Sequence, residues 1–202
     1  MSSGALRVEL TRTSRMRAPR AAEIRVWAGA ALGRRARGRE LAVRIVGARE
    51  SRRLNARYRG RDEPTNVLSF PVAEHLARGV RAAHQGPEML VPSPLGDLVL
   101  CSPIVASEAR RQGKSVRAHW AHLIVHGTLH LVGFDHEQPL DARRMERREI
   151  AVLKRLGFAN PYRYRDVPAA AGGERRARAA PVARRREGRG RMSESELRRS
   201  NA

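Results

Sequence analysis

The sequence has few cysteines, aromatic residues and long apolar runs. Cys101 is the sole cysteine among 202 residues, so no disulfide can form within the chain, and this usage predicts a reducing compartment. No run of about 18 or more apolar residues occurs, so no segment is predicted to span a membrane. The N-terminus also lacks the apolar core of a secretory signal. These absences favour a cytoplasmic protein without a membrane partner.

Basic residues outnumber acidic ones by two to one. The chain has 41 lysine and arginine residues against 20 aspartate and glutamate residues, a formal net charge of +21. Only Lys114 and Lys154 are lysines. A bias toward GC-rich codons explains the preference for arginine over lysine, but it does not explain the excess of base over acid. The excess favours a polyanionic partner.

Apolar periodicity predicts four strands and five helices. Strands are expected at residues 5–11, 41–46, 67–70 and 95–101, and helices at 21–32, 48–58, 102–112, 115–133 and 139–156. The arginine-rich start resembles a transit peptide, but the alternation of Leu6, Val8 and Leu10 favours a strand. Ser102 is expected to cap the third helix, with Pro103 at its first position. The order of the elements predicts an α+β fold, a small mixed sheet of about four strands packed with about five helices.

The composition changes near residue 164. Residues 1–164 are expected to form one domain, and residues 165–202 a disordered arginine-rich tail, because the tail has too few apolar residues to bury a core. The tail is either a solvated extension or a segment that adds phosphate contacts. Residues 73–94 show no clear periodicity and are expected to form a long loop.

Three histidines lie within the segment HGTLHLVGFDH, at residues 126–136. His126 and His130 are four apart and therefore share one face of a helix. Gly133 allows the chain to turn back, so that His136 can complete a three-nitrogen site. Such a site leaves one metal position open, as in catalytic zinc sites, although nickel and copper also suit three histidines. The pattern predicts one bound metal ion, Zn²⁺, on a helix followed by a turn.

His122 competes with His136 for the third place in this site. Ligands at positions 122, 126 and 130 of one straight helix would extend about 12 Å along its axis, which one tetrahedral ion cannot bridge. His122 is therefore expected to pack beside the site or to support a ligand. Asp135 either orients a ligand histidine or caps the turn.

The spacing also matches the HExxHxxGxxH motif of the metzincin proteases, with one difference. Gly127 stands where those proteases carry the glutamate that serves as general base. The glycine disfavours a protease of that kind, but it leaves other metal-assisted hydrolysis open.

Several segments together resemble the YbeY family of bacterial endoribonucleases and rRNA maturation factors. The resemblance is carried by HGTLHLVGFDH, YRGRDEPTNVLSFP at 58–71, LGDLVLC at 95–101, AHWAHLIVHG at 118–127 and LGFANPY at 156–162. It covers about residues 5–164 in order. The tail, the long loop and the high arginine content depart from what the resemblance leads us to expect.

The resemblance implies a zinc-dependent, single-strand-specific endoribonuclease that matures the 3′ end of 16S rRNA and acts in ribosome quality control. It implies that His126, His130 and His136 hold the metal, that His126 and His130 act in catalysis, and that Arg59 is functionally important. The implied partners are rRNA, the small ribosomal subunit, ribosomal proteins and a ribosome-associated GTPase.

The chemistry of a phosphodiester fits these residues. Arg59 can pair with a phosphate through two parallel hydrogen bonds, which a lysine cannot reproduce, and Arg61 is the nearest substitute. Thr65 and Asn66 are expected to cap their loop rather than contact RNA. The general base is open among water activated at the metal, Asp135 and the 2′-hydroxyl of the RNA. The alternative functions are a metalloprotease-like hydrolase and a non-catalytic, metal-binding ribosome assembly factor.

Overall fold

The computed structural model describes residues 5–72, 93–136 and 138–163. In these ranges the strands are β1 (Arg7–Arg12), β2 (Arg39–Val46), β3 (Val67–Pro71) and β4 (Ser93–Cys101). The helices are α1 (Ala21–Leu32), α2 (Ala48–Arg59), α3 (Ser102–Arg111), α4 (Val116–Leu131) and α5 (Pro139–Arg155), with a short 3₁₀ helix at Gly33–Ala36. The α+β prediction is confirmed. The predicted tail, residues 165–202, and most of the predicted 73–94 loop lie outside the described residues.

The four strands form one mixed sheet in the order β1-β2-β4-β3. β1 and β4 both run parallel to β2, and β3 pairs antiparallel with β4. Leu98 of β4 lies opposite Val43 of β2 on one side and Ser69 of β3 on the other. β4 begins at Ser93, two residues before the predicted start. The predicted first strand, β1, belongs to the sheet and lies at one of its edges.

Helices cover the two faces of the sheet unequally, because successive strand residues point to opposite sides. Helices α1, α4 and α5 share the main core with one face of the sheet. This core includes Ile24, Trp27, Leu41, Val43, Ile45, Leu98, Leu100, Ile124, Leu129, Met145 and Leu153. On the other face, Leu54 of α2 packs against a smaller cluster of Val46, Leu68, Val99 and Cys101. No helix in the described ranges is long and apolar enough to cross a lipid bilayer.

The ends of two helices show how local residues set the frame of the site. Ser115 caps α4 as predicted, since its hydroxyl accepts the backbone N–H of Ala118 at 3.2 Å. The predicted cap of α3 is wrong. Cys101 occupies the N-cap and Ser102 is the first helical residue. The buried Ser102 hydroxyl instead lies 2.6 Å from the hydroxyl oxygen of Ser14, so it ties the helix to the segment after β1.

Candidate metal centre

The three predicted metal histidines come together at the C-terminal end of α4. His126 and His130 lie one helical turn apart on this helix and are 4% and 3% exposed. Gly133 has a positive φ of 91°, a conformation that favours glycine, and the chain turns there to bring back His136. One nitrogen atom from each ring lies within 4.8 Å of the others. Helix periodicity and one glycine turn are therefore sufficient to build the group.

The nitrogen atoms of this group fit a metal ion. Nε2 of His126 lies 3.2 Å from Nε2 of His130, close to the spacing of about 3.3 Å between two ligands of a tetrahedral zinc ion with bonds of about 2.0–2.1 Å. Nε2 of His136 is buried and has no hydrogen-bond partner among the described residues. Since a buried polar atom without a partner costs free energy, an ion that accepts its lone pair would remove that cost.

Burial keeps the His130 ring in the form that a metal requires. Burial lowers the pKa of His130 to about 3, and the neighbouring rings of His126 and His136 act in the same direction. His130 is therefore neutral at physiological pH, with a lone pair available. A metal ion binds the neutral imidazole, so the ligand does not have to lose a proton first.

Glu149 of α5 lies behind the histidine group and was not among the residues predicted from the sequence. Its side chain is fully buried, and one carboxylate oxygen accepts the Nδ1 proton of His126 at 2.7 Å. The other oxygen lies 3.1 Å from Nε2 of His122 and also bonds the hydroxyl of Tyr162. Burial alone would raise the pKa of Glu149, but the hydrogen bonds from His122 and His126 outweigh it and hold the pKa well below its usual value.

Glu149 was missed because its partners are distant in the sequence. It lies 23 residues after His126 on a different helix, and nothing in a single sequence shows that α5 packs against α4 at this point. One signal was present. Glu149 falls in register with Met145, Val152 and Leu153, the buried positions of α5, and an acidic residue on the apolar face of an amphipathic helix requires a partner.

The Asp135 side chain contacts the backbone of His136, one of the three histidines. One carboxylate oxygen accepts the N–H of His136 at 2.7 Å. This contact is the turn-capping role, one of the two that the sequence allowed, and it helps to hold His136 at the end of the loop.

A second buried acid contacts the N-terminal part of α4, away from the three-histidine group. Glu108 of α3 bonds Nε2 of His119 at 2.8 Å and accepts the side-chain amide of Asn66 at 3.0 Å. Burial raises the pKa of Glu108, but these hydrogen bonds outweigh it and leave the pKa lowered. The Asn66 side chain is thus used inside the protein, and Thr65 exchanges two hydrogen bonds with the hydroxyl of Ser51. Both residues hold the loop before β3, as expected.

Gly127 faces the sheet and not the metal group. A Cβ atom at this position would lie 2.8 Å from Leu98 Cδ2, 3.1 Å from Ser69 Oγ and 3.4 Å from Val67 Cγ2. There is no room here for the glutamate of the protease motif. The glycine thus allows α4 to lie close to β3 and β4.

Arg59 is the last residue of α2 and is half-buried. No hydrogen bond, ion pair or ring contact joins it to the histidine group within the described ranges. Its Nη2 atom is buried and has no hydrogen-bond partner among the described residues. Burial and the charge of Arg61 lower the pKa of Arg59, but a guanidinium still keeps its charge at neutral pH.

Comparison with known proteins assigns the chain to a family. Residues 17–157 match the family model described as Endoribonuclease YbeY. Endoribonuclease YbeY of Halorhodospira halophila is 49% identical over 148 residues, 73% of this chain and 90% of that protein. Endoribonuclease YbeY of Methylococcus capsulatus is 48% identical over 154 residues, 76% of this chain and 93% of that protein.

Among the similar solved structures is the solution structure of TM1509 from Thermotoga maritima. It is 19% identical with a TM-score of 0.46, over 82% of this chain and 99% of that one. The assignment rests on the sequence matches, and the residues that match the family model include all three histidines and Arg59. The chain belongs to the endoribonuclease YbeY family.

Proposed function

We propose that this protein is a metal-dependent endoribonuclease that cleaves single-stranded rRNA, in maturation of the 16S 3′ end and in ribosome quality control. The observation that carries the proposal is the convergence of His126, His130 and His136 in a chain whose relatives bear the name endoribonuclease. The three rings supply only nitrogen ligands and leave one position of a tetrahedral ion open to solvent or substrate.

The proposed ion is Zn²⁺, one per chain. When bound, such an ion stabilises negative charge on the phosphate and lowers the pKa of bound water. The chain's own part is to present three ligands at fixed spacing. His126 and His130 take their positions from α4, and His136 takes its position from the turn at Gly133.

Arg59 is proposed to bind a phosphate of the RNA. Arg59 is half-buried, and its Nη2 atom has no hydrogen-bond partner among the described residues. A phosphate oxygen would accept a hydrogen bond from that atom. A bidentate arginine–phosphate pair also fixes the orientation of the backbone, which a point charge cannot do. The chain has 41 basic and 20 acidic residues, and this excess of positive charge supplies long-range attraction for the same substrate.

The proposed partners follow from this substrate. They are rRNA and the small ribosomal subunit, together with ribosomal proteins and a ribosome-associated GTPase, and the proposed location is the cytoplasm. The two alternative functions gain no support from the site. Gly127 lies against the sheet, so the carboxylate that a metzincin protease needs has no counterpart at that position. A purely structural ion would be expected to have four protein ligands, whereas the described residues offer three in this group.

The test compares purified variants on a single-stranded rRNA fragment and on a peptide library. We expect the zinc-loaded protein to cleave the RNA and leave the peptides intact. His130→Ala should reduce RNA cleavage at least 100-fold through loss of the metal, and Arg59→Glu at least tenfold through loss of substrate binding. Arg53→Glu reverses an exposed charge on the same helix, α2, and should change cleavage less than threefold.

Two outcomes would contradict the proposal. Peptide cleavage without RNA cleavage would assign the site to a hydrolase of another class. Normal rRNA maturation in strains that carry either His130→Ala or Arg59→Glu would favour the non-catalytic assembly factor.

A further inference from the structure

We infer that Glu149 is a positioning residue, which fixes the orientation and the tautomer of His126 and supplies buried negative charge to the metal site. The inference rests on the proposed role of His126, His130 and His136 as metal ligands. It concerns a residue that touches neither the ion nor the substrate and acts through the His126 ring.

The carboxylate of Glu149 contacts the ring of His126 directly. The carboxylate oxygen lies 2.7 Å from Nδ1 of His126, and both side chains are buried. An ionised carboxylate can only accept a hydrogen bond, so the ring must carry its proton on Nδ1. Nε2 is then left with a free lone pair, and this is the atom that lies 3.2 Å from Nε2 of His130. The acid thereby selects the tautomer that can bind a metal.

Glu149 also brings negative charge close to the three histidines. Three neutral imidazoles bring no negative charge to a divalent ion, and a buried cation without compensation is costly. Glu149 is 0% exposed and is separated from the ion position by a single ring. A carboxylate bonded to a ligand histidine also raises the basicity of that ligand. Glu149 therefore favours the ion both through its field and through the ring.

Further contacts hold the buried carboxylate of Glu149 in place. Its second oxygen lies 3.1 Å from Nε2 of His122 and bonds the hydroxyl of Tyr162, whose ring lies edge-on to His122 at 5.5 Å between centroids. Tyr162 belongs to the segment LGFANPY, and Lys114 further anchors this segment through the carbonyl of Pro161. The segment after α5 thus folds back to complete the support of the metal site.

His122, His126 and Glu149 also lie close enough to hold an ion themselves. The atoms argue against a second ion, since the 2.7 Å distance between Nδ1 of His126 and the carboxylate is that of a hydrogen bond. The other nitrogen of His126 already faces His130. The His126 ring therefore offers one nitrogen to one ion, and the polar atoms of His122 and Glu149 support that ring.

Glu108 provides a matched control. It is likewise a buried glutamate bonded to a histidine of α4, at 2.8 Å from Nε2 of His119. His119 is not a member of the three-histidine group. Loss of charge at Glu108 should therefore disturb packing as much as loss of charge at Glu149, without reaching a metal ligand.

The experiment measures zinc affinity of wild type, Glu149→Gln, Glu108→Gln and Tyr162→Phe by competition with a chromophoric chelator. We expect Glu149→Gln to weaken zinc binding about 10–100-fold, in line with other mutations of groups that support metal ligands. Tyr162→Phe should weaken it less, and Glu108→Gln less than threefold. In the metal-free protein, ¹⁵N NMR of the imidazoles should show His126 protonated at Nδ1 in wild type, and a shift toward the Nε2-protonated form in Glu149→Gln.

The inference is overturned if Glu149→Gln binds zinc within twofold of wild type, or if Glu108→Gln loses as much affinity as Glu149→Gln. A wild-type His126 protonated at Nε2 in the metal-free protein would also overturn it. A wild-type protein that binds no metal would instead contradict the proposed function, and the NMR comparison would then decide the role of Glu149 alone.

Discussion

At the scale of single residues, the site depends on how the two nitrogen atoms of each histidine are used. His126 directs Nδ1 to Glu149 and Nε2 to His130, and one nitrogen of His136 lies near both rings. The sequence was sufficient to predict that the three histidines come together, because helix geometry and one glycine place them. It was not sufficient to predict Glu149, whose role depends on how α5 packs against α4.

The neutral state of the buried His130 ring makes the stability of the metal-free protein depend on pH. An unfolded histidine has a pKa of about 6.5, whereas burial lowers the pKa of His130 to about 3. The unfolded state therefore binds more protons than the folded state in this window. The free energy of unfolding should fall as pH drops below about 6.5, by up to about 1.4 kcal/mol per pH unit for each such proton.

Chemical denaturation of the chelator-treated protein at pH values from about 5 to 7 would measure this slope. Burial also lowers the pKa of His122 and adds to it. The variant His130→Gln, which cannot titrate, should lose about one proton's share of the dependence. A wild-type protein equally stable across this range would contradict the placement of His130 as a buried neutral ring.

At the scale of elements, the periodicity of the sequence predicted every strand and α-helix of the described ranges to within about two residues. The contacts made on folding decided the rest. Ser102 looked like a cap in the sequence, but its hydroxyl bonds Ser14, 88 residues away in sequence. Gly127 looked like the loss of a catalytic acid, whereas its neighbours in space are Leu98 and Ser69 of the sheet.

The close approach of α4 to the sheet predicts opposite effects for two helix glycines. Gly127→Ala places a Cβ atom 2.8 Å from Leu98 Cδ2, so the core must shift. We expect a net loss of about 1–2 kcal/mol, since overpacking costs about 1–3 kcal/mol and outweighs the helix propensity gained. Gly29→Ala in α1 is the control, because nothing lies within 4 Å of its Cβ position, and it should stabilise the protein by about 0.5–1 kcal/mol.

Thermal and urea unfolding of both glycine variants would check this pair. If Gly127→Ala is as stable as Gly29→Ala, the contact between α4 and the sheet is looser than described. A Gly127→Ala variant that also loses zinc affinity would show that this packing sets the spacing of the metal histidines.

At the scale of the whole molecule, the charge of +21 is the feature most simply tied to an RNA substrate. Residues 165–202 contribute eleven arginines and five acidic residues. A chain that neutralises phosphates releases counterions, so its affinity falls steeply with salt. We predict that deletion of residues 165–202 weakens binding to single-stranded RNA, mainly at low salt, and flattens the dependence of affinity on salt.

Fluorescence anisotropy at several salt concentrations would measure this difference. RNA cleavage at saturating substrate should be unchanged, because the three histidines and Arg59 lie before the deleted segment. If the slope of log affinity against log salt is the same with and without residues 165–202, the tail makes no phosphate contacts and is a solvated extension.

The central claim is that His126, His130 and His136 hold one metal ion that the protein needs to cut RNA. Its most direct test is a zinc titration of the metal-free protein, with cleavage of single-stranded rRNA measured at each addition. We expect no cleavage without metal, a linear rise that ends at one ion per chain, and no rise in His136→Ala. Full cleavage by the metal-free protein, or a titration unchanged by His136→Ala, would contradict it.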